Sequence, residues 1–257
     1  MKKRAQPKEK ALALPPAKKS KKDNAVPRGD GLQRLKIRTS PKSLVLFIEG
    51  MNDEQKKAVE EMGFGSILQL QVKELPQALG FWLVSNFHTG SRCIKLGQDR
   101  HLHVSDVNVK ETLGIPLGGR AITPRRTENC PLVERWLGQF GGVSVFQVTI
   151  TRLIEEMKKQ SGAEVMFKWN FIVLFTTLMI EGTSGSYVNH CVLYGLEDAD
   201  AVSQYDWCGY VIDGLLESQK KWEKSDTWDK FYAGPMTFLM VSFIFYHSYM
   251  TFLLHAF

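Results

Sequence analysis

The sequence predicts a mainly α-helical fold: a single multi-helix domain with one small β-hairpin near residues 92–104, preceded by a disordered basic tail. Three observations carry this. Apolar residues recur at helical spacing through most of the chain, between residues that cap and stop helices. Alternation with a period of two is confined to Cys93–Val104. Positive charge gathers at one end: residues 1–38 hold 13 Lys/Arg against 3 Asp/Glu, a net of +10, whereas residues 39–257 hold 20 against 24, a net of −4. With 257 residues and 44% hydrophobic content, the chain can build one large core.

Residues 1–38 are the expected tail and residues 39–257 the expected domain. Met1 to Gly31 has few large apolar residues beyond Leu12, Leu14 and Val26, too few to offset the entropy of ordering. Within it, Lys18, Lys19, Lys21 and Lys22 follow Pro15-Pro16-Ala17. They read as a nuclear-import signal, with a nonspecific, salt-sensitive nucleic-acid contact as an added role and a merely solvating tail as the alternative. No signal peptide is expected, since Ala11–Leu14 is short and lysine-flanked. The net acidic remainder argues against the folded part as a nucleic-acid surface.

The domain is expected to open at Ser40-Pro41, with Ser40 as cap and Pro41 at the first helical position. Leu44, Phe47 and Ile48 form that helix's apolar face, and Gly50 ends it. Asn52 with Gln55 has the form of a capping box. Val59 and Met62 line the inner face of the helix that follows, and Gly63 stops it. Phe64–Leu70 is a short apolar link. Leu75-Pro76 begins a helix with Leu79, Trp82, Leu83 and Phe87 on its buried stripe. Cys93–Leu96 and His101–Val104 form the hairpin around Gly97–Arg100. Ser105 then caps a helix containing Val107, Val109 and Leu113, Gly114 ends it, and residues 115–120 are a loop.

Residues 123–142 read as a loop with a short helix around Leu132–Leu137. Val145–Lys159 reads as one helix, with Phe146, Ile150, Leu153, Ile154 and Met157 inward. Phe171–Ile180 has no charge but is about half the length that a bilayer crossing needs, so it reads as a buried helix, capped by Gly182. Trp207, Tyr210, Val211, Leu215 and Ser218 share one face of a helix of about four turns. Asp206 at its start and Lys220 and Lys221 near its end complement its dipole. Met236–Phe257 has 22 residues without Asp, Glu, Lys or Arg. It reads as a core helix, because Ser242, His247, Ser248 and Thr251 suit lipid poorly; a membrane span over 236–257 is the alternative.

In this order, the hairpin, the Asp106-Val107 helix, Leu113-Gly114-Ile115-Pro116 and Gly118-Gly119-Arg120-Ala121-Ile122 resemble the plant mobile domain. That family is titled aminotransferase-like and is found on plant transposons and their domesticated relatives. Ile94, Leu96, His101 and His103 also carry the resemblance, and Gly63–Leu68 and Trp82-Leu83-Val84 fit it. Phe167-Lys168-Trp169-Asn170, Ser186-Tyr187-Val188 and Tyr205-Asp206-Trp207-Cys208 match the subgroup that precedes the catalytic domain of transposon-derived ubiquitin-like-specific (SUMO) proteases. The resemblance covers roughly residues 39–250. It implies that Asp106, Val107, Leu113, Gly114, Pro116, Trp169, Tyr187 and Trp207 are structural motif positions. It implies the accessory domain only, because the chain ends at Phe257 without the His/Asp/Cys domain of those proteases; the gene product reads as truncated.

Candidate chemistry is thin. Cys93, Cys130, Cys191 and Cys208 lack the two-residue spacing of zinc fingers and redox motifs. His101 and His103 share a strand face near Cys93, but a zinc site needs a fourth ligand, so they read as exposed hairpin histidines. His190-Cys191 has no third orienting group, as an activated nucleophile would need. Glu197, Asp198 and Asp200 read as a solvated turn rather than a cation site. Trp82, Trp169, Trp207 and Trp222 fit core packing or a partner groove better than base stacking, since no basic residues interleave them regularly. No lysine sits in a pyridoxal-phosphate context and no Gly-rich phosphate loop precedes a helix, so neither catalytic, metal nor cofactor residues are expected. The functional expectation is a non-enzymatic, transposon-derived interaction module, nuclear, with an unidentified protein partner. The alternatives are the truncated accessory region of a SUMO-specific cysteine protease and a membrane-anchored protein.

Overall fold

A computed structural model describes residues 33–97, 99–124, 130–225 and 231–256. The tail lysines Lys18, Lys19, Lys21 and Lys22 lie outside the described residues. The architecture is mainly α-helical with a small antiparallel sheet, as the periodicity predicts.

The core is built around α7 (Val165–Met179), which is buried from Phe167 through Met179 except at Lys168. A helix apolar on every side must be enclosed on every side. It is enclosed by α1 (Lys42–Glu49), α2 (Asp53–Glu61), α6 (Ile150–Lys159) and α9 (Met236–Ala256). Phe64 joins it to α8 (Trp207–Lys224): its buried ring meets Phe171, Phe175 and Trp207 edge-on, with centroids 6.0, 5.0 and 5.3 Å away. Each such pair adds about 0.5–1.5 kcal/mol to the burial itself. Buried threonines in α7 bond back to their own helix: Thr176 Oγ1 donates to Ile172 O and Thr177 Oγ1 to Val173 O.

Among the described residues, the remaining elements are α3 (Gln77–Asn86), α4 (Asp106–Leu113), α5 (Pro131–Gly138), short 3₁₀ turns and five short strands. Strands β2 (Phe87–His88), β3 (Cys93–Lys95) and β4 (His101–His103) form an antiparallel sheet with Ile94 opposite Leu102. The expected hairpin is its β3–β4 half. Strand β1 (Lys36–Ile37) pairs in parallel with β5 (Phe231–Tyr232). Two of the three expected polar caps form. Asn52 and Gln55 bond reciprocally ahead of α2, and Ser105 and Asn108 ahead of α4.

Five expectations are corrected. The folded unit starts at Gln33, not residue 39: Leu35 is buried and Lys36–Ile37 are the first strand, so residues 33–38 leave the tail. Pro41 is the N-cap of α1 rather than its first residue, and no side chain bonds there. Gly80, not Trp82, faces the core from α3, because Met240 of α9 comes within 2.9 Å of where a Cβ at Gly80 would stand. That rotation leaves Trp82 38% exposed against Phe243. The helix expected over Val145–Lys159 is broken into a 3₁₀ turn, Val145–Gln147, and α6. Gly182 does not cap α7: Ile180 holds that position, while the Gly182 N–H donates to Ala233 O.

Helix α9 is a core helix in its first part, where Met236–Met240 and Ser242 are buried. Farther along, Ile244 and Phe245 are 50% and 57% exposed. Among the described residues, no helix is long and apolar enough to cross a membrane.

Candidate functional site

The break before α6 creates the most distinctive cleft. Thr149 caps α6, its Oγ1 accepting from Arg152 N at 3.2 Å. The flanking backbone is extended and bonded to the segment after α7: Val188 N–H donates to Val148 O at 2.9 Å and Ile150 N–H to Ser186 O at 3.1 Å. These bonds hold Phe146 outside the core, 67% exposed, with its ring edge-on to Tyr187 at 5.3 Å and 85°. Thr183 Oγ1 donates to Tyr187 O at 2.6 Å and fixes the loop that carries the tyrosine.

The opposite wall comes from a 3₁₀ turn, Cys191–Gly195, and the residue before it. The buried His190 ring lies parallel to Trp136, 6.1 Å away, and is 5.8 Å from Tyr194. Trp136 is itself fixed from behind. Its Nε1 donates to Asn170 Oδ1 at 2.8 Å, and Asn170 and Gln139 exchange amide hydrogen bonds. Phe146, Tyr187, His190 and Tyr194 thus line a cavity of about 380 Å³, with Asn189 and Cys191.

Cys191 also borders a second cavity of about 490 Å³ whose lining carries Glu181, Asp213, Glu217 and Lys220. Glu181 Oε2 accepts from Asn189 Nδ2 at 2.9 Å and from the Tyr210 hydroxyl at 3.3 Å. Burial, and then the Glu181 carboxylate, push the Tyr210 hydroxyl well above the ordinary phenol range, which keeps it a donor. None of the ion pairs among the described residues involves Glu181 or Asp213; Glu217 pairs with Lys221 at 3.5 Å.

Among the described residues, no group of three His, Cys, Asp or Glu is placed to hold a metal ion. His101 and His103 are exposed on β4, with buried Cys93 opposite His103. Asp200 of the acidic turn pairs with Lys168 at 2.5 Å. Cys208 is buried, and its thiol is pushed up to about 12, by burial first and then by Asp206, Asp106 opposing further ionisation.

Most of the motif residues lie away from the cleft. Leu113, Trp169 and Trp207 are buried, and Trp207 Nε1 donates to Val202 O. Pro116 O accepts from Trp207 N, and the strap beyond it pairs with residues 204–206. Asp106 opens α4, half-buried, and Gly114 ends it with φ 61°. Val107 is 54% exposed and packs no core. Tyr187 is the motif position that lines the cleft. Phe146, Tyr194 and Glu181 were not singled out for it. The periodicity places Phe146 on the inward face of a helix, and Glu181 carries no signal of its own. The sequence signal that marks Phe146 is Thr149, a cap residue in the middle of an apparent helix.

The class defined by this fold and cleft is a mainly α-helical domain with an aromatic-lined cavity. Residues 37–240 match the family described as Domain of unknown function (DUF8566), and the chain belongs to that family. No curated protein and no solved structure matches the chain.

Proposed function

We infer that the protein is a non-enzymatic interaction module, a plant-mobile-domain-like accessory domain of transposon origin acting in the nucleus. The observation that carries this reading is the cleft. Four rings line an open cavity, and the most exposed of them, Phe146, is held outside the core by the backbone bonds of Val148 and Ile150 that follow it. An exposed aromatic fixed on a rigid support is an anchor for a partner. The resemblance supplies the transposon origin, and Lys18, Lys19, Lys21 and Lys22 supply nuclear import and a weak, salt-sensitive attraction to nucleic acid. A membrane anchor has less support, given α9's seat against α3, α4 and α7.

Proximity labelling in plant cells tests the reading. The full-length protein is expected to label a set of nuclear proteins that is depleted for Phe146→Ala, with Leu46→Ala, exposed on α1, as the control. A labelled set that is extranuclear, or that is the same for wild type and Phe146→Ala, refutes it. So does catalytic turnover by purified protein that a single side-chain change abolishes.

A further inference from the structure

We propose that the 380 Å³ cavity receives the methylated ammonium group of a lysine side chain, presented on a basic peptide that continues over the adjoining acidic cavity. The proposal rests on the interaction-module reading and names the chemistry of the partner. Aromatic faces carry negative charge density and attract cations, most strongly where water is excluded. Here Phe146, Tyr187 and Tyr194 contribute rings to one lining, and two of the walls, Phe146 and Tyr187, stand at 85° to each other. Rings at steep angles surround a compact ion instead of stacking on a flat one. No Lys or Arg belongs to this lining.

The choice of a methylated group follows from what the lining lacks. An unmodified ammonium is a strongly hydrated point charge with three donors that must be met. The carboxylates stand in the other cavity, beyond Cys191: Glu181, Asp213 and Glu217 against Lys220. Methylation removes donors and weakens hydration, so the rings alone can hold the group. The carboxylates then suit the flanking Lys or Arg residues of the same peptide. A cavity of about 380 Å³ lies within the range of specific small-ligand sites, roughly 300–1,000 Å³.

The test is fluorescence anisotropy with the full-length protein and a labelled basic peptide carrying one trimethyllysine. Its competitors are the same peptide with unmodified lysine and the same peptide with the uncharged tert-butyl isostere. The isostere has the same shape without the charge. Trimethyllysine is expected to bind about 5- to 30-fold tighter than the isostere, the range given by a contribution of about 1–2 kcal/mol. Phe146→Ala should remove most of that preference with an unchanged circular dichroism spectrum and unfolding midpoint, because the ring is exposed. Asp213→Asn should weaken all three peptides and flatten their salt dependence, leaving the preference intact. Equal binding of trimethyllysine and isostere would reduce the cavity to an apolar hole and overturn the assignment. Tighter binding of the unmodified peptide, stronger binding to phosphatidylcholine vesicles, or no binding at millimolar peptide would overturn it equally. Should these fail while Phe146→Ala still changes the nuclear labelling, the module reading survives and the ligand assignment alone falls.

Discussion

Asn170 is the residue whose replacement should separate packing from hydrogen bonding most cleanly. It is fully buried in α7, where its Oδ1 accepts from Trp136 Nε1 and from Gln139 Nε2, and its Nδ2 donates to Gln139 Oε1. Asn170→Ala strands the indole N–H of Trp136, which is itself fully buried. A stranded buried donor costs about 1–3 kcal/mol. Gln139 is half-buried and turns to water, and the small void adds a further increment, so the expected loss is about 2–4 kcal/mol. In a Trp136→Phe background there is no N–H to strand. The same substitution should then cost about 1–3 kcal/mol less, and that difference is the coupling energy. Urea unfolding followed by far-ultraviolet circular dichroism measures all four proteins without relying on the tryptophan. Additivity within about 0.5 kcal/mol would refute the reasoning, since contacting residues in one network should not add.

Three further outcomes follow from other parts of the fold. Gly114→Ala places a Cβ 2.1 Å from Ser66 Oγ at a residue with φ 61°. It should cost roughly 2 kcal/mol or more, of which Ser66→Gly recovers the steric share but not the ~1–2 kcal/mol of left-handed backbone; a loss below about 1 kcal/mol in urea unfolding contradicts this. Leu35→Ala should cost about 2–5 kcal/mol, and a chain beginning at residue 39 should unfold at lower urea than one beginning at 33; equal midpoints would return residues 33–38 to the tail. Cys208, ordinarily near 9.0 and raised to about 12 in the fold, stays protonated where the unfolded chain loses its proton. Its contribution is therefore complete below pH 9.0 and is lost as pH rises toward 12, at no more than ~1.4 kcal/mol per pH unit. Cys208→Ala should flatten the fall in stability between pH 9 and 10, and an unchanged slope there would exclude the thiol as a cause.

Local signals in the sequence were sound wherever the partner was also local. Asn52 and Gln55 are three residues apart, and both bonds of their capping box form. Cys93–Lys95 and His101–His103 pair across a short turn, as their alternation indicates. Signals that depend on distant partners were not legible. Apolar spacing runs unbroken from Phe146 to Met157, but Val148 and Ile150 satisfy their backbone groups with Ser186 and Val188, and that pairing overrides the helix. Trp82 was expected inside because hydrophobicity alone ranks it above Gly80; the close approach of Met240 decides otherwise. The cleft was least legible of all, because its rings come from three separated segments and only Tyr187 lay in a recognised motif. Glu181 belongs to a site only through Asn189 and Tyr210, distant in sequence, which share one of its oxygens.

The pairing of β1 with β5 has a consequence for synthesis. Thr39 Oγ1 donates to Gly234 O across 195 residues, beside the strands that Lys36–Ile37 and Phe231–Tyr232 form. A ribosome adding about 5–20 residues per second makes that interval in about 10–40 s. Throughout it, the segment around Leu35 and Ile37 has emerged while its partner strand has yet to be translated. Helices such as α2 can close within themselves at once, but this edge must wait for β5. A nascent chain of this protein therefore presents a short apolar strand to chaperones and to neighbouring chains until Phe231–Tyr232 have been made.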